Sequence, residues 1–257
     1  MKEPLIPPEF HLSFGLLQWA VLAVAAFIVG FSKSGVPGIG MLAVALFALV
    51  IPPRESTGAI LPVLITGDIL AVAWYHNKAN WKSLRRILPP AAIGVVVGWL
   101  TMGHLSDPAV GKLIGGIMIG LVALQMARDR GFLAGDHVPH HWAFAWTFGL
   151  AGGFVTMVTN AAGPIMIVYL LAMRLDKIAF VGTAAWYFLI INLYKVPFST
   201  GLGLINPESL LLNLKLIPVV FVGAVCGILA VKRIPEKQFR WAVIVLAVSA
   251  GAWLVVK

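Results

Sequence analysis

Residues 30–40 read Gly-Phe-Ser-Lys-Ser-Gly-Val-Pro-Gly-Ile-Gly, and this polar, glycine-rich stretch divides a sequence that is otherwise apolar from residue 12 to residue 51. The apolar run before it, 12–32, is long enough to cross the roughly 30 Å hydrocarbon core of a bilayer as a helix. The run after it, 37–51, is short for a full crossing. The stretch therefore predicts a break between one full membrane helix and one short helix.

The rest of the chain has the composition of a membrane protein. Of 257 residues, 60% are hydrophobic and only 11% are charged, whereas soluble domains carry roughly 25% charged residues. We therefore predict an all-α integral membrane protein of about ten transmembrane segments, some of them short or broken. The full-length candidates are 12–32, 56–75, 84–103, 108–127, 141–157, 178–196, 208–231 and 238–256, and the shorter ones are 37–51 and 161–174.

The distribution of basic residues predicts the orientation of the chain. The formal net charge is +9, but the basic residues lie in short connections between apolar runs, which is typical of membrane topology and not of nucleic-acid binding. With ten crossings, twelve basic residues fall on one side and six on the other. The richer side is expected to be cytoplasmic, so both termini are predicted to be periplasmic. The first apolar run has no small-residue cleavage site and is interpreted as a retained helix.

The two parts of the sequence resemble each other. Gly30-Phe31 recurs as Gly153-Phe154 at an offset of 123 residues, and Asp68 matches Asn192 at 124. This similarity predicts two repeats, residues 1–135 and 136–257, of five segments each. Because five is odd, the second repeat would enter the membrane from the opposite side, as in the inverted repeats of many secondary transporters. At an offset of 129, Pro89, Gly94 and Gly98 match Pro218, Gly223 and Gly227.

A second polar break, 159–164, lies in the second repeat at the position that corresponds to the first. Non-helical backbone within a membrane must be buried in protein or line a cavity, and matching breaks are a good indicator of a substrate site. A helix that begins there would direct its positive amino-terminal end at an anion. The alternative is an ordinary turn at the membrane surface. The predicted substrate-binding residues are Ser32, Lys33, Ser34, Gly35, Gly38, Thr159, Asn160, Ala161 and Gly163.

Asp68 is the one carboxylate that falls inside the core of a predicted helix. Charged residues at such depth are costly and are commonly functional, so Asp68 is a candidate for coupling or gating, together with its repeat mate Asn192 and with Tyr187. The alternative is a buried hydrogen-bonding residue that only fixes helix packing. Tyr194 and Lys195 share the helix of Asn192, and we interpret them as anchors at the membrane interface.

Neither a metal site nor a catalytic site is expected. The group His137, His140 and His141 has no carboxylate or cysteine partners nearby in the sequence and is interpreted as part of a solvated loop. Cys226 is the only cysteine, which excludes a disulfide within the chain and a site built of several thiolates. No set of residues suited to catalysis is present, so we predict that the protein is not an enzyme and uses no cofactor or metal.

The sequence 30–40, its counterpart at 153–164 and the duplicated layout resemble the TauE/SafE family of sulfite-exporter-like membrane proteins. The resemblance covers nearly the whole chain. It implies a carrier in the bacterial inner membrane for sulfite, organosulfonates or related small anions, with the two breaks as the functional positions. This chain differs from the common family pattern in having Met41 after Gly40, and Asn160-Ala161-Ala162 in the second break.

The sequence therefore predicts a secondary transporter that moves a small anion by alternating access. The expected partners are that anion and the lipid bilayer, and no nucleic acid. An anion channel is the alternative within transport, and a membrane-embedded enzyme or an assembly subunit is the alternative from another class. The substrate, the direction of transport, the coupling ion and the oligomeric state, a homodimer included, stay open.

Overall fold

The protein is described by a computed structural model that covers residues 14–35, 38–106, 108–109, 112, 116, 119–120, 142–173, 175 and 177–230. All the regular elements within these ranges are helical. A 3₁₀ turn spans His76–Lys78, directly after the helix that ends at Tyr75. The helices are α1 (Leu16–Ser34), α2 (Gly40–Val50), α3 (Pro53–Ala59), α4 (Leu61–Tyr75), α5 (Trp81–His104), α6 (Trp142–Thr159), α7 (Gly163–Ala172), α8 (Lys177–Gly201) and α9 (Pro207–Ala230).

Six spans in the described part of the chain are long and apolar enough to cross a membrane. Five are α1, α5, α6, α8 and α9, and the sixth, Pro53–Lys78, combines α3 with α4 and the turn that follows. The two short segments predicted at 37–51 and 161–174 correspond to the short helices α2 and α7. The predicted segment 238–256 and most of 108–127 lie outside the described residues, so the number ten stays a prediction.

The described helices form two large hydrophobic cores and two small clusters of buried residues. One large core joins α1, α2, α3, α4 and α9, and Phe47 and Leu216 are among its buried side chains. The other joins α5, α6, α7 and α8 with Ala45 and Ala48 of α2, and Leu84 and Tyr169 are among its buried side chains. Each core therefore combines helices from both sides of the proposed repeat boundary at residue 135.

Close helix packing recurs at the offsets seen in the sequence comparison. The α-carbon of Gly30 in α1 lies so near the carbonyl oxygen of Val220 in α9 that a Cβ would overlap it, and Gly153 in α6 lies in the same way against Ala91 in α5. Gly30 and Gly153 differ by 123 positions, and Ala91 and Val220 differ by 129. The α1–α9 contact therefore has a counterpart in the α6–α5 contact, and both need glycine for the close approach.

The described residues of the two sequence breaks, which do not include residues 36 and 37, lie mostly inside the protein. Ser34 at the first break and Thr159 at the second are both fully buried, so the interpretation of the breaks as wet surface turns is wrong. The breaks also meet, because a Cβ built on Gly163 would lie 3.6 Å from the α-carbon of Gly38. Gly38 has a φ of 100°, which favours glycine.

Candidate functional site

A cavity of about 50 Å³ lies where the two breaks meet. Residues of both breaks form its polar wall, and apolar side chains of α4, α7 and α8 form the remainder. Helices α2 and α7 both begin at this cavity. The lining residues from the breaks and the helix starts are Ser32, Lys33, Gly38, Gly40, Met41, Asn160, Ala161 and Gly163.

Lys33, in the last turn of α1, places a charged group in the cavity wall. Its ammonium nitrogen lies 2.7 Å from Oδ1 of Asp68 and 4.1 Å from the centroid of the Phe188 ring. The stem of the lysine passes close to Gly67, where a Cβ would meet Cγ of Lys33 at 3.1 Å. The side chain is 13% exposed, so the ammonium group is held by a carboxylate and an aromatic face and still borders open space.

Asp68 connects α4 to α8 behind this wall. The carboxylate is fully buried in α4, and its second oxygen accepts a hydrogen bond of 2.6 Å from the side-chain amide of Asn192 in α8. The two residues predicted as repeat mates are therefore direct partners. A buried carboxylate needs such partners, because desolvation of an unpaired charge costs several kcal/mol.

Ser32 connects the two sides of the first break. Its hydroxyl oxygen accepts a hydrogen bond of 3.0 Å from the backbone N–H of Gly40, the first residue of α2. The first backbone N–H groups of a helix have no partner within the helix. Ser32 therefore provides the cap that α2 lacks locally, and it fixes the start of α2 beside the cavity.

The second break is shaped by Thr159 and Asn160. The Thr159 hydroxyl donates to the carbonyl of Val155 and accepts from the N–H of Ala161, which bends the chain sharply at the end of α6. Asn160 has a φ of 56°, the left-handed conformation that asparagine tolerates better than most residues. Its amide nitrogen donates a 2.8 Å hydrogen bond to the carbonyl of Thr57.

The structure brings most of the predicted substrate-binding residues to the cavity, but not all of them. Ser32, Lys33, Gly38, Asn160, Ala161 and Gly163 line it. Ser34, Gly35 and Thr159 are not among the lining residues; Gly35 packs against Gly227 of α9 instead.

Of the three predicted coupling or gating residues, two contact each other and the third lies elsewhere. Asp68 and Asn192 are in direct contact behind the cavity wall. Tyr187 belongs to the hydrophobic core of α5 to α8, where its ring packs edge-on against Phe188. The three histidines at 137, 140 and 141 lie outside the described residues, and no metal-binding group of His, Cys, Asp or Glu occurs within them.

Lys195 is the residue that sequence reasoning missed. Its interpretation as an interfacial anchor is wrong, because the side chain is only 1% exposed and α8 continues past it to Gly201. Its ammonium group contacts side-chain oxygens of Thr156, Asn160 and Asn192. One signal in the sequence could have found it: Lys195 follows Asn192 by three residues, which places both on one helix face.

The family is established by sequence comparison. Residues 22–254 match the family described as "Sulfite exporter TauE/SafE". The chain belongs to the TauE/SafE family. A curated relative, "Probable inner membrane transporter protein TsaS" of Comamonas testosteroni, is 26% identical over 196 residues, which are 76% of this chain and 80% of the relative. No solved structure gives a significant match.

Membership of the TauE/SafE family assigns the chain to membrane transport and not to catalysis, as the sequence predicts. The six apolar spans agree with this assignment. The cavity at the two breaks is the candidate site for the transported molecule.

Proposed function

We propose that this TauE/SafE protein is a secondary transporter that carries a small anion, sulfite or a related organosulfonate, across the bacterial cytoplasmic membrane. One observation carries the proposal: two helix breaks meet at a cavity, and the ammonium group of Lys33 is part of its wall. A cation in the wall of a cavity that is lined mostly by apolar side chains favours a ligand of negative charge.

Two helix starts strengthen the preference for an anion. Helices α2 and α7, of 11 and 10 residues, both begin at the cavity. Each contributes the positive end of its dipole and backbone N–H groups that need acceptors. Together with Lys33, these groups can surround an anion with several oxygens.

The size of the cavity supports a small substrate. Its volume is about 50 Å³, and a buried water needs on the order of 10–15 Å³. The space is therefore on the scale of a small oxyanion such as sulfite, one sulfur with three oxygens. A larger sulfonate would need the apolar side chains around the cavity to move apart.

The arrangement of the two cores supports alternating access. We propose that residues 1–135 and 136–257 are inverted repeats, that both termini are periplasmic, and that the two cores rock against each other. The cavity, the Asp68–Asn192 hydrogen bond and the contact of α4 with α8 all lie between the cores. Asp68 and Asn192 are thus the proposed gating pair, since any rocking of α4 against α8 must alter their contact.

Flux through the purified protein in proteoliposomes tests the proposal. Liposomes preloaded with unlabelled sulfite should accumulate radioactive sulfite by counterflow, and unlabelled sulfonates should compete better than carboxylates of similar size. Counterflow requires a carrier that exposes its site to one side at a time. Flux without saturation or counterflow would instead identify an anion channel.

Lys33→Ala tests the site, with Lys215→Ala as the matched control. Lys215 also lies over an aromatic ring, 5.3 Å from the centroid of Trp19, but it is exposed on α9 and far along the chain from either break. Lys33→Ala should abolish sulfite counterflow, and Lys215→Ala should retain it. Equal flux from both variants would contradict the placement of the substrate at this cavity.

A further inference from the structure

Lys195 is a second lysine in the same polar group, one layer behind the cavity wall. It is 1% exposed and does not line the cavity. Its nitrogen lies 2.5 Å from Oδ1 of Asn160, 3.3 Å from Oδ1 of Asn192 and 3.4 Å from the Thr156 hydroxyl. Three oxygen neighbours match the three N–H donors of a charged ammonium group.

The orientation of both amides is fixed by their other contacts. The amide nitrogen of Asn192 donates to the Asp68 carboxylate, so its oxygen faces Lys195. The amide nitrogen of Asn160 donates to the Thr57 carbonyl, so its oxygen also faces Lys195. The two amides therefore present acceptors to Lys195, as a cation requires.

The polar group forms a continuous chain whose two ends lie at the cavity. Lys33 is at one end and Asn160 at the other, and Asp68, Asn192 and Lys195 connect them from behind. The chain contains two ammonium groups and one carboxylate. In the part of the protein that the structure describes, the three hydrogen-bond partners of Lys195 are uncharged oxygens. With both lysines protonated and Asp68 ionised, the group has a net charge of one positive unit.

We propose that Lys195 is a specificity-determining residue that sets the charge of the transported anion to a single negative unit, which for sulfite selects the singly protonated form, hydrogen sulfite. This inference rests on the proposed function and deepens it. A buried excess charge is costly, and a monoanion in the cavity neutralises it completely. A dianion of similar size and shape leaves one negative unit unbalanced. Lys195 acts on the anion through its field and through the orientation that it gives to Asn160.

Competition by anions of fixed charge measures this effect. Methanesulfonate is a monoanion and sulfate is a dianion, and both present a sulfur surrounded by oxygens. In the wild-type protein, methanesulfonate should displace radioactive sulfite at lower concentration than sulfate does. Asp68→Asn raises the net charge to two positive units, so sulfate should compete on the order of tenfold better relative to methanesulfonate.

Lys195→Gln lowers the net charge to zero and keeps a side chain of similar length. Its affinity for methanesulfonate should fall on the order of tenfold. The double variant Asp68→Asn with Lys195→Gln restores one positive unit, so its affinity should exceed that of Lys195→Gln alone. A purely structural role predicts the opposite result, in which the double variant is weaker than either single variant.

The outcomes separate this inference from the proposed function. If the wild-type protein neither transports nor binds anions, the proposed function fails. If the wild type transports sulfite, but methanesulfonate and sulfate compete in Lys195→Gln as they do in the wild type, charge selection by Lys195 is overturned. It is also overturned if the affinity of the double variant for methanesulfonate is no higher than that of Lys195→Gln. If Lys195→Gln does not fold, Asp68→Asn provides the test. Charge selection is overturned if sulfate competes no better relative to methanesulfonate in Asp68→Asn than in the wild type.

Discussion

Asn192 donates a 2.6 Å hydrogen bond to Asp68, although the two residues occupy matching positions 124 residues apart in the similar parts of the sequence. Residues related by a two-fold axis can touch each other only close to that axis. The contact therefore supports an axis that passes through the polar group behind the cavity. The charged member of the pair lies on α4 and the neutral member on α8, so the two matching positions differ in charge.

Asn192→Leu should destabilise the protein. The substitution removes a donor to the buried carboxylate and an acceptor for Lys195, and leaving buried groups unpaired costs about 1–3 kcal/mol each. We expect the midpoint of thermal unfolding in detergent to fall by roughly 4–8 °C. Asn77→Leu, at an exposed position of the 3₁₀ turn, is the control. Equal midpoints for the two variants would contradict a structural role of the hydrogen bond.

Asn160 combines a left-handed backbone with a side chain that has two partners, and two substitutions separate these roles. Asn160→Gly keeps the backbone geometry and removes the amide, whereas Asn160→Ala removes the amide and adds strain of about 1–2 kcal/mol. We expect both variants to lose sulfite transport. Asn160→Ala should also unfold at a lower temperature than Asn160→Gly. Identical stability would show that the backbone at this position imposes no constraint.

Phe188→Leu should weaken substrate binding without loss of fold. The ring face lies 4.1 Å from the Lys33 ammonium group, and a cation–π contact of this kind contributes about 0.5–2 kcal/mol. We expect KM for sulfite to rise roughly two- to thirtyfold, with expression unchanged. Trp19→Leu removes the comparable contact to the exposed Lys215, and KM should not change. If KM rose equally in Trp19→Leu, the rise in Phe188→Leu would be due to a general loss of packing and not to the contact with Lys33.

Gly153→Ala should prevent stable folding. A Cβ at this position would overlap the carbonyl of Ala91, so α5 and α6 would have to separate. Gly201→Ala is the matched control, because nothing lies within 4 Å of a Cβ there. We expect Gly153→Ala to yield little monodisperse protein in size-exclusion chromatography and Gly201→Ala to resemble the wild type. Normal yield and stability of Gly153→Ala would exclude a tight backbone contact.

Much of the fold could be predicted because apolar length and glycine-proline breaks act locally. The end of α8 could not be predicted from these signals. The predicted segment ends at residue 196, directly before Pro197, and proline usually interrupts a helix. Instead α8 continues through Pro197 to Gly201, as membrane helices tolerate proline where neighbouring groups satisfy the backbone. That error at the helix end led to the misinterpretation of Lys195.

The candidate site was only partly predictable for a related reason. Both breaks were located from the sequence, but the direction of each side chain within a break depends on backbone turns that are not encoded by polarity alone. Thr159 turns inward to bond Val155 and Ala161, whereas the neighbouring Asn160 faces the cavity. Ser34 and Gly35 are polar or small like their neighbours, yet they are absent from the cavity wall.

The close packing of α1 against α9 has a consequence for the order of events during synthesis. Gly30 and its contact Val220 are separated by 190 positions, which a ribosome needs roughly 10–40 seconds to translate. Throughout that interval α1 has no α9 to pack against, so the surface around Gly30 faces lipid or an insertion chaperone. The nascent protein thus reaches its mature packing only near the end of translation, and late truncations should be recognised by membrane proteases as incomplete.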